Sequence, residues 1–320
     1  MNFSRRKNKK LYRAALVIIK DCLGIKHNEK VVIITDDYCD TIGYTLWNAL
    51  REITDPILIK IKRRHIHGEE PPQLVADVLK NCDVFIMPTW YSLTHTRARI
   101  AANRNGARGT TMPGITVDVM TRALNVDHRR INVLTRRLVN LLSKANKALI
   151  TTERGTHLEL HLAKRRGYVD TGIIKKPKEF SNLPAGEAYI APQEYKSNGT
   201  IVVDGSFAPV GLMKNPVVLK INKGSLVKIN GNHTLNHLFK KYGKRERVLC
   251  ELGIGTNPRA RITGNVLEDE KVLGSVHVAF GNNVGFGGTN TAKIHLDGVM
   301  KKPSVSLDGK LIIRKGKFLI

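Results

Sequence analysis

The hydrophobic pattern changes its period near residue 147, and this change constrains the fold more than any other feature of the sequence. Before it, short β-branched runs, which are typical of strands buried on both faces, alternate with segments of helical spacing. Such alternation predicts parallel β-α-β units, and hence a doubly wound α/β domain over residues 1–147. The predicted strands cover residues 30–36, 56–62, 83–88 and 109–114, and the predicted helices 41–53, 72–82, 94–105, 118–124 and 130–146.

After residue 147 the apolar residues recur at every second position, which is the period of a half-buried strand. Glycine and asparagine separate the short runs, as in the turns at 198–199, 222–224 and 230–232. These residues are typical of β-turns because they tolerate the backbone conformations that tight turns need. We therefore predict that residues 148–320 form a mostly β domain, with a helix at 234–242.

Ligands of a doubly wound sheet gather at the carboxyl ends of its strands. Asp36 and Asp37 end the first predicted strand, and Trp90 and Tyr91 follow the third. Two interpretations stay open here: these residues face a pocket, or the two aspartates cap the next helix. No GxGxxG follows the first strand and no GxxxxGK[ST] occurs in the chain, so a nucleotide-cradling loop is not predicted.

The chain is strongly basic, with 53 Lys plus Arg against 27 Asp plus Glu and a net charge of +26. Such a balance raises the hypothesis of a nucleic-acid partner. The basic residues are spread along the chain, no nucleic-acid-binding motif accompanies them, and aromatic residues make up only 6%. We interpret the charge as solvated surface and do not expect a nucleic-acid partner.

The cysteines and the hydropathy predict a cytoplasmic protein. Cys22, Cys39, Cys82 and Cys250 show no CxxC spacing, which favours free thiols in a reducing compartment. The basic N-terminus precedes an apolar stretch that has the spacing of an amphipathic helix and contains Arg13, Lys20 and Asp21. No stretch approaches the ~18 apolar residues of a membrane span.

Metal-ligand side chains stand on short apolar runs between residues 251 and 299. His295 and Asp297 are two apart in IHLDGV, so on a strand both leave the same face. Glu251 and His277 stand at the start of two further strand-like runs. Imidazole together with carboxylate binds zinc, cobalt, manganese or iron, so these residues predict a metal site.

Three other segments carry polar residues in suggestive patterns. His157, Glu159 and His161 alternate with leucines and are interpreted as the polar face of a half-buried strand, although a contribution to a pocket stays open. His233 and His237 are four apart but lack the glutamate of the zinc-protease motif. The glycine-rich segment 281–288 either joins two strands or binds phosphate through its amides, and the connecting loop is favoured.

The second half resembles the aminopeptidase T family of metallopeptidases, including its shorter leucyl aminopeptidase-like members. The resemblance rests on GTHLELHLAKRRGYVDTG, LPAGEAYIAP, GTIVVDGS, ELGIGTNP, DEKVLGSVHVAFGNN and GGTNTAKIHLDGVM, which together span most of residues 155–300. It implies that Glu187, Glu251, His277, His295 and Asp297 bind metal. Val284 stands where that family has a sixth ligand, a tyrosine. A related branch resembles 2,5-dihydroxypyridine dioxygenase, an iron(II) ring-cleaving enzyme.

The resemblance leads us to expect a metallo-aminopeptidase acting on short peptides or a related amide. One or two divalent ions (Zn, Co or Mn) would activate water, and Glu187 or Glu251 would serve as general base. The alternative is an iron(II) dioxygenase that uses His277, His295 and Asp297. A further alternative is a basic nucleic-acid-binding protein with a vestigial site. The family also implies a homodimer or larger homo-oligomer.

Overall fold

The computed structural model describes the backbone of residues 2–320 and the side chains of residues 9–320. The helices are α1 (Asn2–Leu16), α2 (Asp40–Leu50), α3 (Gln73–Lys80), α4 (Arg97–Arg104), α5 (Val117–Ala123), α6 (His128–Lys144), α7 (His233–Lys240) and α8 (Val266–Asp269). A π-helical segment, Val17–Cys22, follows α1, and 3₁₀ turns lie at Arg245–Arg247 and Val284–Phe286.

The strands are β1 (Val31–Thr35), β2 (Ile57–Lys60), β3 (Val84–Met87), β4 (Arg108–Thr111), β5 (Lys147–Thr151), β6 (His157–His161), β7 (Gly167–Asp170), β8 (Phe180–Asn182), β9 (Glu187–Ile190), β10 (Asn198–Val203), β11 (Ser206–Phe207), β12 (Gly211–Leu212), β13 (Val217–Asn222), β14 (Ser225–Asn230), β15 (Leu249–Gly255), β16 (Val276–Gly281), β17 (His295–Met300), β18 (Ser304–Leu307), β19 (Lys310–Arg314) and β20 (Lys317–Phe318). The α/β fold class is confirmed, with a parallel sheet followed by antiparallel sheets.

The first compact unit comprises residues 1–128 and 172–185. Its sheet has the order β2-β1-β3-β4-β8 and is parallel at every described pairing. Alternate residues of β1 and β3 enter two separate apolar clusters, one holding α1, α2 and α5 and the other α3 and α4. Helices therefore cover both faces of the sheet, which is the doubly wound arrangement that the alternating pattern predicts.

The second compact unit comprises residues 129–171 and 186–320. In the described residues its strands form an eight-stranded sheet, β14-β13-β10-β6-β5-β18-β19-β20, and a seven-stranded sheet, β12-β11-β17-β16-β15-β9-β7. Apolar residues from both sheets join one buried cluster with α6 and α7, so each sheet turns one face inward.

The two compact units do not coincide with the domains 1–147 and 148–320 that the sequence predicts. α6 belongs almost entirely to the second unit because its Leu138 and Leu142 pack in the apolar cluster of that unit. Residues 172–185 belong to the first unit because β8 pairs in parallel with β4 at the edge of its sheet. A hydrophobic period cannot reveal a chain that returns to an earlier sheet.

Of the two interpretations left open by the sequence, a pocket is found at Asp37 and Tyr91, whereas the N-cap of α2 is Cys39 and neither aspartate. Asp36 is buried and caps the following turn: one carboxylate oxygen accepts the amides of Tyr38 and Cys39, both at 3.1 Å, and the other accepts the Trp90 amide at 2.6 Å. Asp37 and Tyr91 line a cavity of about 460 Å³, together with Tyr38, Lys62, Arg63, Arg64 and His65.

Other expectations from the sequence also hold. All four cysteines are free and buried. Leu11, Ala14, Ala15 and Ile18 lie buried along α1 and its continuation, as its amphipathic spacing predicts. Within residues 2–320 none of the helices combines the length and the apolar character needed to cross a membrane.

A largely buried ion pair links Arg108 on β4 to Glu29 in the segment before β1. The Arg108 guanidinium donates to both carboxylate oxygens of Glu29, at 2.7 and 2.9 Å, and to the Leu23 carbonyl at 3.0 Å. Burial alone would raise the pKa of Glu29, but Arg108 and Lys26 lower it below its usual value. The stabilisation from this pair is therefore present at neutral pH and is lost as the pH falls through the lowered pKa.

We predict that Arg108→Met lowers the free energy of unfolding of the first unit by about 1 to 3 kcal/mol, because it leaves the partly buried Glu29 carboxylate without its bidentate partner. Trp47 and Trp90 are the two tryptophans of the chain and both lie in this unit, so tryptophan fluorescence during urea unfolding reports on it. Arg97→Met is the matched control, since the Arg97 side chain is 91% exposed beside Glu70. Equal midpoints for the two variants would show that the buried pair contributes nothing.

Candidate metal centre

Strand register brings the metal-ligand residues of the sequence to one face of the seven-stranded sheet. Five neighbouring strands, β7, β9, β15, β16 and β17, contribute to this face. Glu251 is opposite Ala279, which is opposite Asp297, and His295 is opposite Gly281. Residues that are directly opposite, or two apart on one strand, share a face. The shared face carries Tyr168, Asp170, Glu187, Tyr189, Glu251, Gly253, Gly255, His277, Ala279, Gly281, His295 and Asp297.

Small residues in the middle of this face make a hollow for the functional side chains. Gly253 is opposite His277, and a Cβ built on Gly253 would lie 2.0 Å from Cε1 and 2.1 Å from Nε2 of the imidazole. The His277 ring therefore lies directly across the glycine. The alternate residues of β15 and β16, such as Leu252, Ile254 and Val278, enter the apolar core on the other face.

The first group of candidate ligands consists of Glu251, His295 and Asp297. Nε2 of His295 lies 3.0 Å from Oε2 of Glu251 and 3.4 Å from Oδ1 of Asp297. One ligand atom from each of the three residues lies within 4.8 Å of the others. A cation can therefore contact all three residues with small adjustments of their side chains.

A hydrogen bond at Nδ1 sets the tautomer of His295. Nδ1 lies 2.9 Å from the carbonyl oxygen of Asn282, and a carbonyl only accepts, so Nδ1 carries the proton. The lone pair of Nε2 then faces Glu251 and Asp297 whenever the imidazole is neutral. A histidine oriented in this way is a typical metal ligand.

The second group of candidate ligands consists of Glu187, Glu270 and His277. Nε2 of His277 lies 3.3 Å from Oε2 of Glu187 and 3.5 Å from Oε1 of Glu251, so this imidazole lies between the two groups. Oε2 of Glu187 is buried and makes no hydrogen bond within the described part of the chain, and its ion-pair neighbour there is His277 Nε2. A buried carboxylate oxygen that lacks a hydrogen bond is costly, and it suits a cation. The donor set, carboxylate and imidazole, fits a divalent first-row metal.

Lys271 enters this face from the segment after α8. Its side chain is 2% exposed, and its ammonium lies 2.5 Å from Glu187 Oε1, 2.7 Å from Glu270 Oε1 and 3.3 Å from Asp170 Oδ2. The strand leaves room for it at Gly255, where a Cβ would lie 2.1 Å from the carbonyl oxygen of Val272. Glycine at this position allows the backbone at 271–272 to lie against β15.

The electrostatics of the hollow reflect an excess of buried carboxylate. Burial raises the pKa of Glu270 to about 8, and the neighbouring Glu187 and Asp297 act in the same direction against Lys271. Burial alone would also raise the pKa of Glu251, but hydrogen bonds with His277 and His295 bring it down to about 2. Burial opposes the charged form of His277, yet the carboxylates outweigh it and raise its pKa to about 9. The hollow therefore favours positive charge.

Aromatic rings line one side of the hollow. Tyr168 and Tyr189 are stacked with ring centroids 5.8 Å apart, and Phe286 meets Tyr189 edge-to-face at 5.5 Å. Phe286 also meets the His295 ring at 5.9 Å. Burial, followed by the charge of Glu251 and other carboxylates, raises the pKa of Tyr189 well above its ordinary value, so its phenol stays protonated.

The glycine-rich segment 281–288 joins β16 to β17, as the favoured interpretation holds. Asn283 anchors it: its amide donates to Oε1 of Glu194 at 2.9 Å, and its carbonyl oxygen accepts the Asn290 amide at 2.9 Å. A Cβ on Gly288 would lie 1.9 Å from Cγ of Asn283, so the close turn requires glycine there. The loop fixes Asn282, which orients His295.

The structure brings together the five residues that the sequence and its resemblance nominated, Glu187, Glu251, His277, His295 and Asp297. Sequence reasoning missed Asp170, Tyr189, Glu270 and Lys271 in this role. The alternation of Glu187 with Tyr189 in GEAYIAP was a signal, since both leave one strand face. The run DEK at 269–271 gave no such signal for Glu270 and Lys271, because a charged run before an apolar strand is usually solvated.

The other nominated residues lie elsewhere. Glu159 on β6 pairs with Lys147 at 3.0 Å and with His161 at 3.3 Å, which agrees with a polar strand face. His233 and His237 stack on α7 with centroids 6.5 Å apart and belong to neither ligand group found in the described residues. Val284, at the position of the expected tyrosine ligand, is 52% exposed in a 3₁₀ turn.

Comparison with known proteins gives the family. The family model described as "NicX: 2,5-dihydroxypyridine 5,6-dioxygenase" matches residues 49–320. The chain belongs to the NicX family. A curated NicX-family relative, 2,5-dihydroxypyridine 5,6-dioxygenase of Pseudomonas putida KT2440, is 24% identical over 215 residues. That match covers 62% of this chain and 61% of the relative, so it spans less than two thirds of the relative's length.

Two solved structures share the fold of this NicX-family chain. The 2,5-dihydroxypyridine dioxygenase of Pseudomonas putida KT2440 superposes with a TM-score of 0.79 at 18% identity, covering 98% of this chain and 97% of that one. Wild-type AmpT from Thermus thermophilus gives a TM-score of 0.74 at 17% identity, covering 98% of this chain and 99% of that one.

These findings correct the leading expectation from the sequence. The hydrolase of aminopeptidase type is wrong, because the family model and the curated relative are both dioxygenases. At 17% identity the likeness to AmpT shows a common fold and nothing about activity. The nominated imidazoles and carboxylates suit either chemistry, and the departure at Val284 was the signal in the sequence against the aminopeptidase.

We predict that Gly253→Ala weakens the binding of Mn²⁺, used as an oxygen-stable divalent probe, by at least about 10-fold, because the new methyl group displaces the His277 ring. Isothermal titration calorimetry of protein stripped with chelator measures the affinity. Gly285→Ala is the matched control, since a Cβ there meets no atom within 4 Å. Similar affinities for both variants would show that His277 does not bind the metal.

Proposed function

We propose that this NicX-family protein is a non-haem iron(II) dioxygenase that opens the ring of a hydroxypyridine-like aromatic substrate. The observation that carries the proposal is the hollow itself, where two imidazoles and several carboxylates adjoin a row of aromatic rings. Two histidines with a carboxylate and open positions form the ligand set of non-haem iron oxygenases. The family match and the curated relative support the same chemistry.

His277, His295 and Asp297 would hold the metal, with Glu251 between the two imidazoles. When bound, iron(II) supplies the electronic coupling between the aromatic ring and O₂ that neither reactant has alone. The contribution of His295 depends on the Asn282 carbonyl, which holds its Nε2 toward the centre. The contribution of His277 depends on Gly253, which leaves room for its ring.

The substrate would bind beside the aromatic row. Phe286 meets the His295 ring at 5.9 Å and Tyr189 packs against Phe286 at 5.5 Å, and flat aromatic ligands pack well against such rings. Tyr189 keeps its proton and can donate to a ring nitrogen or oxygen of the substrate. Glu187 Oε2, which makes no hydrogen bond among the described residues, would accept the proton of a substrate hydroxyl.

The overall reaction balances without a separate reductant. One ring bond between carbon atoms breaks, and each of its carbons gains one oxygen atom from O₂. The hydroxyl proton that Glu187 accepts returns to the product on release. The role of the protein is to bring the ring, the metal and O₂ together in one geometry.

We also propose that the reaction takes place in the cytoplasm, because four buried free thiols favour a reducing compartment. A homo-oligomeric state and independence from nucleic acid stay predictions.

We predict that the anaerobically purified protein, loaded with Fe²⁺ and given 2,5-dihydroxypyridine, consumes one O₂ for each ring that is opened. His295→Ala should lower this rate at least about 100-fold, because it removes a ligand whose orientation alone matters 10- to 100-fold at such centres. An oxygen electrode together with the loss of the pyridine absorbance measures both quantities.

His233→Ala is the matched control, because His233 lies on α7 and belongs to neither ligand group of the described residues. Disappearance of the ring without oxygen uptake, or equal rates in the two alanine variants, would overturn the proposed function or its placement. Several hydroxylated pyridines should be tested side by side, since the ring pattern of the substrate is part of the proposal.

A further inference from the structure

The hollow contains two adjoining groups of ligands, but a cation of the protein already occupies one of them. Within the described residues, no lysine or arginine forms an ion pair with Glu251 or Asp297, whose partners are the imidazoles of His277 and His295. In the other group, Lys271 contacts Glu187 Oε1 at 2.5 Å and Glu270 Oε1 at 2.7 Å. We infer that Lys271 limits this centre to one metal ion, because its ammonium takes the place of a second cation.

The donor count of the ammonium matches its surroundings. A lysine ammonium has three N–H donors, and three carboxylates lie within 3.3 Å of Nζ, from Asp170, Glu187 and Glu270. The ammonium can thus donate to all three carboxylates. Two of them, Glu187 and Glu270, are candidate metal ligands, and each has one oxygen in contact with the ammonium. A dication binding the same oxygens would have to displace the ammonium or share its place, and like charges at such a distance repel strongly.

The backbone around Gly255 fixes the position of the Lys271 side chain. Glu187 and Asp170 are opposite each other on β9 and β7, and Gly255 is opposite Glu187 on β15. The missing side chain at Gly255 admits the backbone of residues 271–272, where a Cβ would meet Val272 O at 2.1 Å and Lys271 C at 2.7 Å. This close approach brings the backbone of Lys271 against β15, and only 2% of its side chain is exposed.

The two ligand groups are close enough that His277 can bind a metal ion in either of them. His277 Nε2 is 3.3 Å from Glu187 Oε2 and 3.5 Å from Glu251 Oε1. With Lys271 in place, His277 is available to the ion held by Glu251, His295 and Asp297. Without Lys271, the carboxylates of Glu187 and Glu270 lose the ammonium that contacts both of them, and a second ion would find ligand oxygens there. Lys271 is thus a residue that determines metal number and not itself a ligand.

The inference rests on the proposed metal centre and is tested by counting metal in Lys271→Ala. Wild type and variant are purified anaerobically, saturated with Mn²⁺, passed through a desalting column and measured by inductively coupled plasma mass spectrometry. We expect about one ion per chain in wild type and about two in the variant, since the ammonium no longer excludes the second. Lys293→Ala, which removes an exposed lysine of the same unit, should keep the wild-type count.

Electron paramagnetic resonance gives an independent readout. An isolated Mn²⁺ ion gives a resolved six-line pattern, whereas two ions a few ångströms apart couple and broaden it. The coupled spectrum is expected only in Lys271→Ala. Circular dichroism checks that the variant is folded, and purification in Mn²⁺ supplies the charge that the substitution removes.

Each outcome decides a stated point. Two ions in wild type would overturn the inference without any variant, and one ion in folded Lys271→Ala would also overturn it. No ion in wild type would overturn the metal centre itself, and with it the inference. Oxygen uptake by wild type is scored separately, so an active enzyme that carries two ions would contradict the role of Lys271 and leave the proposed function standing.

Discussion

The concentration of negative charge on one sheet face is the constraint on which the rest of the site depends. Five carboxylates, from Asp170, Glu187, Glu251, Glu270 and Asp297, lie on or against this face and contact the same two imidazoles or the same ammonium. Buried carboxylates without compensation are strongly destabilising. Lys271 compensates one side of the hollow, and a divalent ion bound between Glu251, His295 and Asp297 would compensate the other.

That constraint explains why the surrounding backbone is so rich in small residues. Gly253 makes room for the His277 ring, and Gly255 admits the segment that carries Lys271. The core side of the same strands is fully apolar, with Leu252, Ile254 and Val278 buried. A strand that alternates between core leucines and glycines beneath polar rings is stable only because neighbouring strands hold it on both edges.

Periodicity was enough to predict the fold class and the face that carries the site. The β-branched runs predicted the parallel strands, and the HxD spacing put His295 and Asp297 on one face of β17. Glu187 came only from the resemblance, because a glutamate after Pro-Ala-Gly gives no sign that β9 is buried between β7 and β15. Lys271 could not be predicted at all, since its burial depends on a close approach at a glycine sixteen positions earlier in the chain, in Gly255.

The chemistry was the least predictable part for a physical reason. Hydrolysis through metal-activated water and ring opening with O₂ both need imidazole and carboxylate around a divalent ion, so the ligand residues do not distinguish them. What distinguishes them lies around the ligands: Val284 stands where a phenol was expected, and the Phe286 ring lies beside His295 with Tyr189 packed against it. These neighbours are scattered in sequence and become adjacent only in the folded sheet.

The central claim is that this hollow places O₂ on an aromatic ring, and isotope labelling tests it most directly. The iron-loaded protein is given 2,5-dihydroxypyridine under ¹⁸O₂ in ordinary water, and the product is read by mass spectrometry before its oxygens exchange. The account predicts that both labelled atoms appear in the ring-opened product. A product that carries oxygen from water only, shown by the reciprocal experiment in H₂¹⁸O, would contradict it.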